Sequence, residues 1–414
     1  MMKIKMKCLN LLLLFLLASM YAPAQKKDFT YKFYGFVRNE LYGNSRASVS
    51  SSDDAFYLYP MDNNYDADGK DLNAHPTLTA NAFVSRAGVS VNGPTIGGAK
   101  TSAHLEIDFA GYSGQLGTLR FRQAYVSFEW EKHRMIVGQT WHPLFGQVFP
   151  YMLSLSTGAP FQPFNRSPQL QYKYYASSAL SLTAAAMWQY QYMSNGPQGK
   201  SNAYLKNGVL PELYVGVDYT SPSGWLIGAG AHMLSLKPRT SSTVGGKIYK
   251  VDERMTSSTF EAHASYKKGK VSFGAKTLLA SATDYCAMLG GYGISGVDAR
   301  TGEQEYTPFR HSSSWINFSY GTTWKPSIFI GYTKNLGTSK ELVDGTPTYG
   351  LGLNIDQLLA FNISMSYLFH KDWMIGVEYS PSTAWYGTPD EKGRIENTHS
   401  TTNHRAHVLT TFFF

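Results

Sequence analysis

The sequence predicts an all-β fold, a transmembrane antiparallel β-barrel of about sixteen strands, from three observations. Segments of ten to fourteen residues recur with period-two alternation and are rich in Tyr, Phe, Val, Leu and Gly. Their connections alternate between short and long, and the chain ends on an aromatic, Phe414. Strands of about ten residues match a tilted span of a bilayer, and an even count with short turns at one end and long loops at the other is the pattern of outer-membrane barrels. Composition agrees by exclusion. With 29 Tyr, 23 Phe, 8 Trp and 38 Gly but only 16% charged residues, the chain is not of the disordered class. A mean hydropathy of -0.26 and the lack of an apolar run near the length of a spanning helix after the leader exclude a helical membrane protein.

The 414-residue chain opens on the three parts of a secretory signal peptide. Lys3, Lys5 and Lys7 form the charged start, Leu9 to Ala18 the apolar core, and Ala22-Pro23-Ala24 an A-x-A cleavage site, so residues 1–24 are expected to leave. The three lysines leave with them and the net charge falls from +8 to +5, too modest to indicate nucleic-acid binding. Cys8 precedes the apolar core and is lost, which leaves Cys286 as the single cysteine and excludes an intrachain disulfide. The expected location is the outer membrane of a Gram-negative cell.

Residues 25–414 read as one barrel, with strands near 29–43, 80–92, 99–110, 118–130, 133–142, 167–176, 179–192 and 211–220 in the first half. The second half places them near 224–236, 255–267, 270–282, 312–324, 327–336, 356–369, 372–385 and 403–414. Seven short turns join them at one end: Asn92 to Gly98, Glu131-Lys132, Ser177-Ser178, Ser221 to Gly224, Lys267 to Lys270, Lys325-Pro326 and His370 to Asp372. Long loops fall near 44–79, 143–166, 193–210, 237–254, 283–311, 337–355 and 386–402, with a short connection near Gly111 to Gly117. Tyr31, Phe33, Trp130, Trp141, Trp188, Tyr190, Tyr192, Trp225, Trp324, Trp373 and Trp385 lie near strand ends, where aromatic rings prefer the headgroup level. A bilayer demands closure, and sixteen strands leave room for an aqueous channel.

Alternation also sorts the charges. In the third strand Thr101, Ala103, Leu105, Ile107 and Phe109 share one face, and Lys100, Ser102, His104, Glu106 and Asp108 the other. The same rule turns Lys32, Arg38, Glu40, Arg86, Arg120 and Arg122 inward, followed round the barrel by Lys173, Glu212, Asp218, His232, Glu261, His263, Lys276 and Glu378. Arg38, Arg86, Arg120 and Arg122 stand on near-neighbour strands as a basic ladder that concentrates anions. The alternative is that Arg120 and Arg122 pair with Glu106 and Asp108 across adjacent strands and hold the wall together. Residues 142–167 are the candidate constriction loop, because Phe145, Phe149, Tyr151, Phe161, Phe164 and four prolines are more apolar than an exposed loop would keep. In that reading Arg166 is a filter residue. If the loop packs externally at a trimer interface, Arg166 is a rim charge.

Within residues 85–147, Ser85-Arg86-Ala87-Gly88-Val89, Leu105 to Phe109, Leu119 to Val126 and Val137 to Trp141 resemble the early strands of the DcaP-type sixteen-stranded porins. Beyond them, Phe164 to Gln169 and the terminal Phe are similar. The resemblance implies a homotrimeric outer-membrane channel for small, often anionic solutes such as dicarboxylates. The chain departs from that family at its start, where the first strand follows the cleavage site with no room for the coiled-coil extension.

Two further readings are weighed. Asp62, Asn64, Asp66, Asp68, Gly69 and Asp71 look like the start of a calcium loop, but His75 stands where a bidentate Glu belongs and no helices flank it, so a solvated acidic loop is expected, with Ca2+ as the weaker reading and no other cofactor. No catalytic motif surrounds His104, His232 or His263, so no enzyme is expected. The expectation is a porin for passive diffusion of small polar solutes, with outer-membrane lipid around it. Its alternative is an occluded barrel that serves as an adhesin or structural protein.

Overall fold

The computed structural model describes residues 29–111 and 115–414, so the signal peptide and part of the Gly111 to Gly117 connection lie outside it. Seventeen hydrogen-bonded segments form one sheet of sixteen antiparallel strands, because one strand is interrupted. They are β1 Thr30–Asn44, β2 Thr77–Asn81 continued by Arg86–Asn92, β3 Lys100–Asp108, β4 Arg120–Glu129, β5 His133–Trp141, β6 Arg166–Tyr175, β7 Leu180–Met187 and β8 Glu212–Thr220. The circuit continues through β9 Trp225–Leu236, β10 Met255–Lys268, β11 Val271–Ser281, β12 Arg310–Tyr320, β13 Trp324–Gly337, β14 Ile355–His370, β15 Trp373–Pro389 and β16 Ile395–Phe413. β16 then pairs with β1 from Phe36–Phe413 to Asn44–Arg405, so no edge is left open.

The seam shows why the last residue matters. Gly35 and Phe414 exchange backbone N–H···O bonds of 2.9 and 3.1 Å, extending the β1–β16 ladder to the last residue. A Cβ at Gly35 would stand 2.4 Å from the Arg86 carbonyl oxygen and 2.6 Å from the Phe414 ring, so only glycine lets the terminal aromatic lie across the seam.

All sixteen expected strands are present, with three corrections. The turn expected at Lys325-Pro326 lies at 321–323 instead, where Gly321 takes φ +104°. Pro326 belongs to β13, just beyond its last rung with β12, Ser319–Ser327, where a missing N–H costs that ladder nothing. β7 ends at Met187 rather than 192, because the Gln189 side chain bonds both the backbone N and the hydroxyl of Ser194 and curls the chain away. The loop expected at 386–402 is mostly a continuation of the β15–β16 ladder up to Pro389–Ile395.

The outer face is apolar where it would meet lipid: Leu105, Val126, Val137, Leu170, Val215, Ile227, Phe260, Ile316, Ile330, Phe361 and Val377 all lie exposed on it. At the turn end Trp225, Trp324, Trp373 and Phe414 form an aromatic belt, and Trp188 and Tyr190 lie exposed at the loop end. Trp141 and Tyr192, expected in that belt, turn inward instead to hold Arg166.

At the loop end the connections fold over the bore. A hairpin of Ser48–Ser51 and Phe56–Pro60, a short helix α1 Ala203–Gly208, a hairpin of Ser241–Val244 and Lys247–Lys250, and a sheet of Gly290–Val297, Gln304–Pro308 and Tyr349–Leu351 make this tier. Phe56, Leu58, Tyr59, Phe145, Phe161, Phe164, Leu289 and Ile355 meet there in one buried apolar cluster.

Candidate functional site: the pore constriction

The segment between β5 and β6 enters the lumen and crosses it, as its apolar content predicts. Its root is fixed on the near side by Lys276 of β11, whose ammonium donates to the carbonyls of Leu144 and Phe145 at 2.8 Å each. Further along, Asn317 of β12 accepts the Tyr151 N–H at 2.9 Å, and the Tyr151 hydroxyl meets Ser366 of β14 at 2.8 Å. On β15, the Glu378 carboxylate accepts the backbone N–H of Leu153 at 2.6 Å and of Ser154 at 3.2 Å. Arg38 of β1 donates to the Leu153 carbonyl. The return limb is held by Ser313, donating to the Phe161 carbonyl at 3.1 Å, and by Trp315, donating to Gln162 at 2.9 Å. Two inward glycines make the approach close. A Cβ at Gly331 would fall 2.5 Å from the Phe161 ring, and one at Gly376 would fall 2.6 Å from Leu153.

Facing this loop is the charged wall that alternation predicted. Arg120 grips Asp108 with two bonds, Nε to Oδ1 at 2.9 Å and Nη2 to Oδ2 at 2.7 Å. Arg122 bridges the two acids, reaching Glu106 at 2.7 Å and Asp108 at 2.9 Å. Forked geometry of this kind gives strong, directional pairs. Arg86 is the loosest member: it stands 3.7 Å from Glu106 with 23% of its side chain exposed. Arg38 pairs with Glu40 at 2.5 Å, and Glu40 also meets His407 at 3.3 Å. The ladder arginines are all lumenal, and every one has a carboxylate partner. The signs do not cancel, since Arg86, Arg120 and Arg122 face only Glu106 and Asp108.

Arg166 is neither a filter residue nor a rim charge. It is fully buried, its guanidinium 4.8 Å from the Trp141 ring centre, 5.3 Å from Phe164 and 5.6 Å from Tyr192, whose hydroxyl accepts a hydrogen bond from it at 2.6 Å. Trp141 also faces Arg122 at 5.9 Å. Its π-face thus lies against two like charges, each of which the ring quadrupole attracts. Lys173, on the same strand β6 as Arg166, pairs with Asp218 at 3.2 Å, which in turn meets His263 at 3.1 Å. These three line a cavity of about 480 Å³ beside the root of the crossing loop.

The wall opposite was not foreseen. On β12–β14 the inward positions beside the loop are Ser313, Asn317, Ser319, Ser327, Asn362, Ser364 and Ser366, all buried and uncharged. Small polar residues leave no charge pattern to read, and only their alternation marks them as inward. His104, read as lumenal, is stacked between Tyr34 and Tyr125 at 5.6 and 5.2 Å.

The acidic loop after β1 turns its carboxylates onto the protein. Asp71 pairs with Arg46 at 2.6 Å and accepts the N–H groups of Asn64 and Asn73, while Asp66 accepts those of Asp68 and Lys70. Among the described residues, the group whose ligand atoms converge as a metal would need is elsewhere, at His142, Glu212 and His232.

The closed barrel is similar in fold to several solved structures. The outer membrane channel DcaP of Acinetobacter baumannii superposes with a TM-score of 0.65 at 19% identity, covering 94% of this chain and 99% of that one. The fold is that of the outer-membrane porins. The trimer form of OmpT from Vibrio cholerae has a TM-score of 0.54 at 14% identity over 94% of this chain and 100% of that one. An anion-selective porin from Comamonas acidovorans has a TM-score of 0.54 at 10% identity over the same shares. No protein-family model and no curated sequence matches the chain. The porin fold thus rests on architecture, as the DcaP-type motifs of β2–β5 led one to expect.

Proposed function

We propose that the protein is an outer-membrane porin, without enzymatic activity, that passes small polar solutes by passive diffusion and favours anions. The observation that carries this reading is the charge imbalance at the constriction. Three arginines against two carboxylates leave one positive charge in excess on the wall, and Arg166 behind it adds a second. In a low-dielectric bore such an excess raises the local anion concentration. Arg86 is the residue an anion would meet, because its ion pair is the longest of the set and its Nε has no acceptor among the described residues. A dicarboxylate-like solute suits a wall of this kind. We also propose a homotrimer. Asn39 of β1 lies on the outer face, a polar position that lipid would not satisfy and a neighbouring subunit would.

A second reading, an occluded barrel, is favoured by the apolar cluster that joins the Phe56–Pro60 hairpin to the crossing loop across the mouth. Single-channel recording of the refolded protein in a planar bilayer under a salt gradient separates the two. Conductance steps in groups of three with an anion-biased reversal potential support the trimeric porin. A folded but silent barrel gives the occluded reading, and open steps with no bias remove the arginine steering.

A further inference from the structure

Outside the constriction, three side chains from distant parts of the sequence converge at the root of the crossing loop. His142 is the first residue after β5, Glu212 opens β8, and His232 lies on β9; all three are fully or almost fully buried. Both imidazole Nε2 atoms lie 3.2 Å from the same carboxylate oxygen, Oε2 of Glu212. The Tyr285 hydroxyl, from the β11–β12 loop, reaches that oxygen at 2.7 Å and lies 3.3 Å from His232 Nε2. The three ligand atoms fall within 4.8 Å of one another.

We propose that His142, Glu212 and His232 form a zinc site that ties the loop root to the barrel wall. Two imidazoles and a carboxylate are a standard zinc donor set, and Zn–N and Zn–O bonds of about 2.0–2.1 Å imply ligand atoms about 3.3 Å apart at the corners of a tetrahedron. The observed 3.2 Å separations match that edge and are long for charge-assisted hydrogen bonds, which run at about 2.7–2.9 Å. The pattern of unmet groups points the same way. Three groups crowd one oxygen of Glu212, while its Oε1 and the Nδ1 of His232 are buried without partners among the described residues. A carboxylate held only by hydrogen bonds would spread its donors over both oxygens. A water would complete the tetrahedron, since the Tyr285 hydroxyl, donating to Oε2 at 2.7 Å, stands closer than the tetrahedral edge.

The site is linked to the loop through one proton. His142 Nδ1 accepts the Leu144 N–H at 3.2 Å, so in the metal-free protein Nε2 carries the proton and points at Glu212. Zinc on Nε2 moves that proton to Nδ1, and Leu144 must turn its amide away. Zinc and the conformation of the loop root therefore depend on each other, and a hydrogen-bonded network without metal is the competing state.

The test uses tag-free, folded full-length protein, stripped with EDTA, given Zn2+ alone and then freed of unbound metal. About one retained zinc per chain and a rise of a few degrees in the unfolding temperature are expected. His232→Ala should lose both, while surface histidines such as His133 and His370 bind equally in the two proteins. Co2+ as a second probe needs no variant: a four-coordinate site gives the visible bands of tetrahedral cobalt. No zinc retained by the folded wild type, equal retention by His232→Ala, or only octahedral cobalt overturns the site.

Discussion

The two walls that face the crossing loop hold it by different chemistry. On β2–β4 the inward side chains are charged and bind mostly one another: Arg120, Arg122 and Arg86 engage Asp108 and Glu106. On β12–β14 they are neutral, and Asn317, Ser327, Ser366 and Ser313 spend their hydrogen bonds on the loop backbone and Tyr151. In the proposed porin one wall would set the field and the other the width. The separation has a physical basis. Hydroxyl and amide groups can fix a backbone without altering the net charge, and the charged ties the loop does have, to Lys276, Glu378 and Arg38, come from strands outside β2–β4.

The largest test of that division replaces Arg120 and Arg122 together with Ala. The wall then changes from one positive charge in excess to one negative, so the reversal potential should fall and change sign while the pore stays open. Asp108 and Glu106 would be left buried without their forked partners, and losing one side of a buried pair costs about 3–5 kcal/mol. Urea midpoints of the folded barrel measure that loss. Unchanged selectivity would make the arginines purely structural.

A buried acid without a guanidinium partner sharpens the point. Asp284, in the β11–β12 loop outside the membrane-spanning strands, is bonded by the neutral backbone N–H and amide of Asn195 at 2.9 and 2.6 Å. Burial pushes its pKa up to about 6, against the pull of the Asn195 bonds. A raised carboxyl pKa means the folded state favours the neutral acid. Its stabilising share is complete below about pH 4 and lost as pH rises through about 6, a change of about 3 kcal/mol. Asp284→Asn should therefore match wild type near pH 4 and exceed it at pH 7 by up to that amount, read from unfolding temperatures at the two pH values. A constant difference across the range would show that Asp284 does not titrate on folding.

How much of this was legible follows from which medium each residue meets. The strand count could be read because a wall between lipid and water forces alternation, and the arginines could be read because charge stands out against it. The upper β15–β16 ladder could not, since a segment such as Glu396-Asn397-Thr398-His399 stands clear of the bilayer and is polar on both faces. The loop announced itself by Phe145, Phe161 and Phe164, but its partners were hidden: Asn317 and Ser366 look like any small polar residue until the loop is laid against them. Glu212 and His232 are diagonal neighbours across the β8–β9 hairpin, but His142 lies 70 residues before Glu212, and only the folding of the loop root into the barrel brings it to them. Arg166 was placed in the bore because sequence alternation says nothing of the aromatic side chains that fold over it.

On the opposite side of the bore, Glu378→Gln tests the width-setting role. It keeps the shape but leaves one acceptor oxygen for two backbone N–H groups, so one of the bonds to the Leu153 and Ser154 amides is lost and the other becomes neutral, a loss within the range of about 1.5–3 kcal/mol for bonds to charged groups. The expected readout is a noisier, larger conductance from a less firmly held loop. The sign of selectivity should survive, because the arginine wall is untouched. A selectivity change as large as that of the double arginine variant would erase the division of labour between the walls.

The smallest effect should come from Asn317→Ala. Asn317 accepts the Tyr151 N–H at 2.9 Å and donates to Ser327 and to the Ile328 carbonyl, also at 2.9 Å each. Tyr151 keeps three other attachments: Ser366 on its hydroxyl, Ser327 on its carbonyl at 3.0 Å, and the Lys325 ammonium 3.5 Å from its ring centre. With that redundancy the cost should stay near the net value of one hydrogen bond, about 1 kcal/mol, and the mean conductance should hardly move. Combining it with Glu378→Gln gives the informative comparison. If the loop is a single rigid bar, the two variants should exceed the sum of their separate effects on conductance, because each anchor compensates for the other. Simple additivity would mean that the segments at Tyr151 and Leu153 move independently, and that β12–β15 hold the constriction as separate points.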